Sequence, residues 1–246
     1  MRAATFDEQP GHEIFSDAER SAWHALFERH FGVADGRKAL DLASGTGVIS
    51  HLMHDLGFAV TGMDWSEAML EKARAKSRLR GSNIRFLLGD AEHTLEDDDS
   101  YDVIVTRHLV WTLVDPAAAF AEWFRVLKPG GKLLVVDGDF VSPTWATKLN
   151  KAMSGFLESI GLRKPTEPVA HMQTHRDILA RVHFSEGARA NDVSAMLART
   201  GFDPVVVDFD LRQIHAAQKK HISFAKGLER GAQHRYAICA QKPVAG

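Results

Sequence analysis

Two hydrophobic rhythms alternate along the chain. Short apolar runs bounded by turn residues predict strands at "KALDLA", "AVTGMD", "IRFLLGD", "YDVIVTRHL" and "GKLLVVDGDF". The fourth run is rich in β-branched residues and too apolar for an exposed edge. Between the runs, apolar positions recur at helical spacing. Val48, Ile49, Leu52, Met53 and Leu56 form one such stripe, ending at Gly57. Ser66 is predicted to cap "EAMLEKARAKSRLR", while Asp115 and Pro116 open a helix that "KPGG" closes. Ahead of the first strand, "SDAERSAWHALFERHFG" predicts a helix with Ser16 and Glu19 as a capping box and Gly32 as its stop.

From Pro143 to Ala190 the rhythm breaks into helical pieces such as "WATKLNKAMSGFLESIG". It resumes with a helix at "DVSAMLARTG", a sixth strand in "FDPVVVDFDL", a helical stretch "HAAQKKHISFAKG" and a seventh strand at "RYAICAQK". Strands alternating with helices predict an α/β fold with a doubly wound, parallel sheet. No boundary signal divides the chain. The expectation is one domain over residues 1–246, with 1–35 as an N-terminal cap helix and 143–190 as a helical insertion that forms an acceptor lid.

Composition narrows the function only by exclusion. Thirty basic against 32 acidic side chains leave a net charge of −2, so no global field favours nucleic acid or an anionic membrane. Cys239 is the one cysteine, which excludes an internal disulfide and a thiolate-rich zinc site. The first residues lack the apolar core of a signal peptide, and no run approaches the roughly 20 apolar residues of a membrane span. A cytoplasmic protein is expected.

The chemistry gathers where strands end. In "ALDLASGTGVIS", Asp41, Gly45 and Gly47 lie where the first strand turns into its helix. Ligands of open parallel sheets bind beyond the carboxyl ends of the strands. Glycine there admits a tight turn and close ligand approach, and the following helix offers unpaired N–H groups. Such a turn by itself serves packing as readily as a cofactor. Asp64 ends the second strand, where a carboxylate can accept hydrogen bonds from both hydroxyls of a ribose; the alternative is a cap for the next helix. Asp90 ends the third strand within reach of an adenine amino group, or forms an Asx-turn. Trp65 and Met69 can sandwich the adenine or belong to the core. A pyrophosphate fits less well. Ser50 stands where a dinucleotide fingerprint wants its third glycine, and Asp41 adds negative charge that suits an ammonium group.

The blocks "LDLASGTG", "VTGMDWSEAMLEKAR", "LLGDAE", "DDDSYDVIVTRHLVWTLVDPAAAFAEWFRVLKPGGKLLVVD" and "RYAICAQKP" resemble the class I S-adenosylmethionine-dependent methyltransferases, most closely the type 11 or ubiquinone/menaquinone-biosynthesis-like group acting on small molecules. The resemblance is close over residues 36 to 140 and looser in the last forty. It implies a seven-stranded sheet in the order 3-2-1-4-5-7-6 with strand seven antiparallel. It also implies S-adenosylmethionine as methyl donor, S-adenosylhomocysteine as product and a small-molecule acceptor. The implied cofactor set is Asp41, Ala43, Gly45, Gly47, Asp64, Trp65, Met69, Asp90, Ala91, Glu92 and Arg107. Within it, Asp41 and the glycines hold the methionine end, Asp64 the ribose, and Asp90 and Ala91 the adenine. Arg107 and His108 would lie beneath the methionine part and face the acceptor. One departure is the pair Ala43–Ser44, where many members have Gly–Cys.

A sulfonium is already an activated methyl donor, so catalysis needs alignment and exclusion of water more than a base. His108 is the candidate general base; alternatively it only hydrogen-bonds cofactor or backbone. His12 sits in a segment that closes over the site in related enzymes. His171 and His175, four apart in "HMQTH", lack an evident third ligand, so no metal is expected. Trp145, Met153, Phe156 and Leu157 line an acceptor pocket or form a helix's core stripe, and Trp111 carries the same two readings. Lys219, Lys220 and His221 read as a solvated helix face. Two other functions stay open: a nicotinamide-dependent oxidoreductase, which the missing third glycine and the "GDAE" block count against, and a non-catalytic binder of the same cofactor. Oligomeric state is open between monomer and homodimer.

Overall fold

The structure, a computed structural model, describes residues 13–142, 182–219 and 233–244. His12, Trp145, Met153, Phe156, Leu157, His171, His175, Lys220, His221 and most of the 143–190 insertion therefore lie outside the described residues. Helix α1 (Asp17–Phe31) precedes the sheet. Then follow β1 (Lys38–Leu42), α2 (Val48–Asp55), β2 (Ala59–Asp64), α3 (Glu67–Arg80), β3 (Arg85–Leu88) and β4 (Tyr101–Arg107). A 3-10 turn (Val110–Thr112) leads into α4 (Pro116–Val126) and β5 (Leu127–Asp139). After the insertion come α5 (Ala190–Thr200), β6 (Val205–Asp208), α6 (Arg212–Lys219) and β7 (His234–Gln241).

The seven strands form one sheet in the order β3-β2-β1-β4-β5-β7-β6. β7 runs antiparallel to both of its neighbours, and the other pairs are parallel. The period-2 alternation of strand side chains sends neighbouring residues to opposite faces. Ala39, Val103 and Val105 join the layer under α1, α2 and α3 with Trp23, Phe27 and Met53. Leu40, Leu42 and Ile104 join the opposite layer with Phe120, Trp123 and Leu197. Helices cover both faces, which is why the central strands read as continuous apolar runs.

Local signals held at most helix ends. Ser16 accepts the Glu19 N–H at 3.2 Å, and Gly32 stops α1 at φ 74°. The Glu19 carboxylate reaches the N–H of Phe15, one residue earlier than the usual capping box. Asp115 caps α4 through the Ala118 N–H at 3.0 Å. Two expectations are corrected. Ser66 occupies the cap position of α3 but its side chain makes no capping bond. Asp64 accepts the Ser66 N–H instead. "KPGG" does not close α4: the helix ends at Val126 and the four residues already run within β5. Gly130 N–H donates to Lys242 O and Lys242 N–H to Gly131 O, so this backbone finds partners on the chain leaving β7. A register shift between the Tyr101 and Val103 pairings absorbs the irregularity.

Gly62, in the middle of β2, shows how closely α2 approaches the sheet. A Cβ there would lie 2.8 Å from two ring carbons of Phe86 and 2.9 Å from the Ser50 hydroxyl. Gly62→Ala is therefore expected to overpack this layer at a cost of about 1–3 kcal/mol. Thermal unfolding should show a midpoint lowered by about 2–4 °C per kcal/mol for a domain of this size.

Candidate active site

The parallel register brings the carboxyl ends of β3, β2, β1, β4 and β5 to one rim. Asp64 pairs with Leu88, Leu42 with both Met63 and Thr106, and Arg107 with Val136. Asp41, Asp64 and Arg107 thus come from three adjacent strands, and Asp90 follows a fourth. The sequence could not show this proximity, only the strand ends.

The turn after β1 is left-handed at three positions: Ala43 (φ 56°), Gly45 (φ 56°) and Gly47 (φ 80°). Gly47 begins α2, and a Cβ on it would lie 2.9 Å from the Phe86 ring and 3.2 Å from Ala73 Cβ. Glycine is required there by both the turn and the helix packing. Ala43 adopts the same basin with a methyl group, a strained choice for an L-residue. Gly45 N–H donates to Asp64 Oδ2 at 2.8 Å, while Asp64 Oδ1 accepts the Ser66 N–H at 2.9 Å. Each carboxylate oxygen keeps a second acceptor site for a ligand hydroxyl.

Asp41 is only 2% exposed and accepts the Ser50 hydroxyl at 2.5 Å. Burial pushes its carboxyl up to about 7; the Ser50 bond and the nearby Arg107 guanidinium hold it back, and Asp64 adds to the rise. The Arg107 guanidinium stands over the Trp23 ring, 5.6 Å from its centroid, against α1. Ser44 Oγ is buried in this turn with no hydrogen-bond partner. A buried carboxylate short of positive charge, an idle hydroxyl and the amino end of α2 suit a zwitterionic amino-acid tail. Trp65, next to Asp64, is 87% exposed and offers an aromatic face at the strand tip, with Met69 half-buried one turn along.

The third acid follows the alternative role as well. Asp90 Oδ1 accepts the Glu92 N–H at 2.9 Å, an Asx-turn, and Asp90 itself is exposed. Ala91 gives its carbonyl to Trp123 Nε1 at 2.7 Å, which fixes that loop on α4. Glu92 is tied to a neighbouring loop. Its two oxygens accept the N–H groups of Val114 and Asp115 in the loop before α4. His108 follows β4 with φ 60°, and its ring meets Phe140 edge-on at 5.2 Å. Trp111 meets the same ring at 6.2 Å.

Sequence reasoning passed over three residues that the geometry places here. Ser50 appeared only as a missing glycine, although its hydroxyl is the hydrogen-bond donor to Asp41. Ser44 appeared only as half of an unusual pair. Asp137, which ends the apolar run of β5, obeys the strand-end rule that pointed to Asp41, Asp64 and Asp90 and could have been found by it. It is 2% exposed, and burial pushes its carboxyl up to about 7 against hydrogen bonds from the N–H groups of Gly138, Val110 and Trp111.

Residues 40–135 match the family model described as a methyltransferase domain. The chain is 31% identical to the demethylmenaquinone methyltransferase of Renibacterium salmoninarum over 186 residues, which is 72% of this chain and 76% of that protein. It is also 31% identical to the ubiquinone/menaquinone biosynthesis C-methyltransferase of Idiomarina loihiensis over 206 residues, 79% of each chain. Among solved structures, a Haemonchus contortus phosphoethanolamine N-methyltransferase 2 in complex with S-adenosylhomocysteine superposes with a TM-score of 0.66 at 17% identity, covering 98% of this chain and 56% of that one. That last likeness concerns the fold alone. With the strand order and the turn after β1 in agreement, the chain belongs to the class I S-adenosylmethionine-dependent methyltransferases, in the group related to the ubiquinone and menaquinone biosynthesis enzymes.

Proposed function

We propose that this enzyme C-methylates a hydroxylated aromatic ring of the hydroquinone class, and that Asp41, Ser44, Gly45, Asp64, Trp65, Met69, Asp90 and Ala91 hold its cofactor. The observation that carries the cofactor assignment is the meeting of Asp41, Gly45 and Asp64 in one turn, joined by the Gly45–Asp64 bond. The acceptor class is supported by the relatives, which are named for methylation in menaquinone and ubiquinone synthesis. It is further supported by the rings of Trp111 and Phe140 beside His108 at the tips of β4 and β5.

S-adenosylmethionine supplies a methyl group on a sulfonium, ready for displacement by a carbon nucleophile. The chain's own work is placement. Asp41 holds the ammonium of the amino-acid tail, Ser44 its carboxylate through the idle hydroxyl, and Asp64 the ribose hydroxyls. Trp65 closes over the adenine, and Asp90 with Ala91 reads its edge. Glu92 is left out of this set and assigned to the loop before α4, whose Val114 and Asp115 N–H groups its two oxygens accept. Arg107 balances Asp41 from below. His108, Trp111 and Phe140 shield the acceptor ring from water, and an imidazole nitrogen of His108 takes the phenolic proton as the ring carbon attacks; loss of the ring C–H proton from the methylated carbon and return of a proton to the oxygen then restore the aromatic phenol. Alignment of the two reactants is worth up to about 7–11 kcal/mol, against about 10²–10⁴-fold for the base. In the same reading the enzyme is cytoplasmic, has no nucleic-acid partner, and works as a monomer or homodimer with residues 143–190 as its acceptor lid. No described helix is long and apolar enough to cross a membrane.

The decisive assay offers the enzyme methyl-labelled S-adenosylmethionine and a prenylated 1,4-naphthohydroquinone. Mass spectrometry should find the label on a ring carbon. Label on an amine or thiol of a competing panel, with none on the hydroquinone, overturns the acceptor class.

Removing the ribose anchor should weaken cofactor binding whatever the acceptor. Charge-assisted hydrogen bonds contribute about 1.5–3 kcal/mol each. Asp64→Ala is expected to raise the calorimetric Kd for S-adenosylmethionine by more than about tenfold. Unchanged affinity removes Asp64 from the site.

Asp41 predicts two opposed pH dependences. Its folded carboxyl sits near 7, above the ordinary 3.8, so the folded state holds an extra proton between those values. Its contribution to ligand-free stability is full below about pH 4 and lost as pH rises through about 7. Asp41→Asn should therefore gain stability relative to the wild type across that window, by chemical denaturation without cofactor. Ammonium binding needs the ionised form, so wild-type cofactor affinity should fall about tenfold per pH unit below about 7, and the variant's weaker affinity should be flat.

A further inference from the structure

We propose that Asp137 is a positioning residue for methyl transfer: with Glu92 it holds the loop after β4, residues 108–115, at a fixed height over the strand tips. The proposal rests on the reading above, in which that loop faces the acceptor.

The loop departs from regular structure at once. His108 takes a left-handed φ of 60°, and a 3-10 turn follows at Val110–Thr112. A non-glycine residue stays in that basin only where its surroundings over-determine it. Here β5 grips the bend twice. His108 N–H donates to Val136 O at 3.1 Å, and Val110 N–H donates to Asp137 Oδ2 at 2.8 Å. Asp137 Oδ1 accepts the N–H of Gly138 at 2.9 Å, which fixes the plane of the carboxylate. At the loop's far end Glu92 accepts the N–H groups of Val114 and Asp115 at 2.9 and 3.1 Å. Two carboxylates, one following β3 and one on β5, therefore suspend the loop between them. Asp137 is 2% exposed, so water does not compete for its bonds.

What the loop carries gives the clamp its meaning. The rings of His108 and Trp111 both rest edge-on against Phe140, three residues beyond Asp137. Shifting the Val110 amide moves both rings relative to β5, although Asp137 is placed on neither cofactor nor acceptor. Glu92 lies two residues after Asp90, so its anchor also joins the adenine-side loop to the acceptor-side loop. The charged and titratable groups facing Asp137 are Arg235 and Tyr236 on β7 and Asp139 on its own strand. Arg235 favours the ionised carboxylate, and the Tyr236 phenol, pushed up by burial and by the two carboxylates, stays neutral.

The test uses the full chain with Asp137→Asn and Glu92→Gln, read by amide hydrogen exchange, calorimetry with S-adenosylmethionine, and turnover of the naphthohydroquinone. Asparagine keeps the shape but sets an NH₂ against at least one of the three backbone donors, Gly138, Val110 and Trp111. In Asp137→Asn, exchange at residues 108–113 should rise about tenfold or more while β1 and β2 stay protected, the loss expected for one broken charge-assisted bond. The cofactor Kd should stay within about twofold, and kcat should fall by about tenfold or more, with a smaller change in acceptor KM. Glu92→Gln, on the rim, should loosen residues 113–115 and leave 108–110 in place. Unchanged exchange at 108–113, loosening spread evenly through the sheet, or a cofactor affinity that falls in step with turnover each overturns the proposal. If the wild type leaves the naphthohydroquinone untouched, the acceptor assignment fails alone, and exchange and calorimetry still decide this one.

Discussion

The carboxylate of Asp64 ties two turns of the chain into one object. One oxygen takes the N–H of Gly45 in the turn after β1, the other the N–H of Ser66 at the start of α3. Ser44 N–H adds a bond to Met63 O across the same gap. The acid is 7% exposed, so these bonds act where an unmade one would be costly. The tips of β1 and β2 are thereby set before any ligand arrives, and the left-handed residues between them have no cheaper arrangement. The residues proposed for the methionine and ribose parts of the cofactor lie on that crossing.

Carboxylates on this molecule divide by what surrounds them. At the rim, Glu122 bonds to Arg125 and Thr94, and the Arg125 guanidinium draws its carboxyl down to about 2. At the strand tips, Asp41 and Asp137 sit in apolar surroundings that lift both to about 7. Their compensation differs. Asp137 is met by three backbone N–H groups and faces Arg235, whereas Asp41 has the hydroxyl and the N–H of Ser50 and the charge of Arg107. Of the two, Asp41 has more to gain from an added cation.

The sheet was legible in the sequence because both of its faces are covered. Each central strand shows as an apolar run of strand length; an acid marks the ends of β2 and β5, and β4 leaves through Arg107 and His108. The acids at 41, 64 and 90 were legible for the same reason. What failed was local punctuation under tertiary control. "KPGG" reads as a helix stop, yet the chain beyond β7 offers those residues hydrogen bonds and draws them into β5. Ser66 reads as a cap, but Asp64 already serves the amide at that corner. The bonds of Glu92 to the loop before α4 could not be read from the block it shares with Asp90. Ser44 carried a signal too slight to separate from an ordinary turn residue, whereas Asp137 obeyed the strand-end rule and was passed over.

Ala43 has a consequence for how the binding turn moves. Holding a methyl-bearing residue in the left-handed basin costs about 1–2 kcal/mol, while alanine loses less entropy than glycine on folding, by about 0.4–1 kcal/mol. The two terms oppose each other, and the strain is the larger, so the alanine leaves a net cost in stability. On mobility the two do not oppose each other. Glycine could visit neighbouring basins with little penalty, but alanine has one narrow well, so the peptide before Ser44 acts as a stop and not a hinge. Nucleoside entry and exit then fall to other parts of the enzyme, and the floor of the cleft stays still through each cycle.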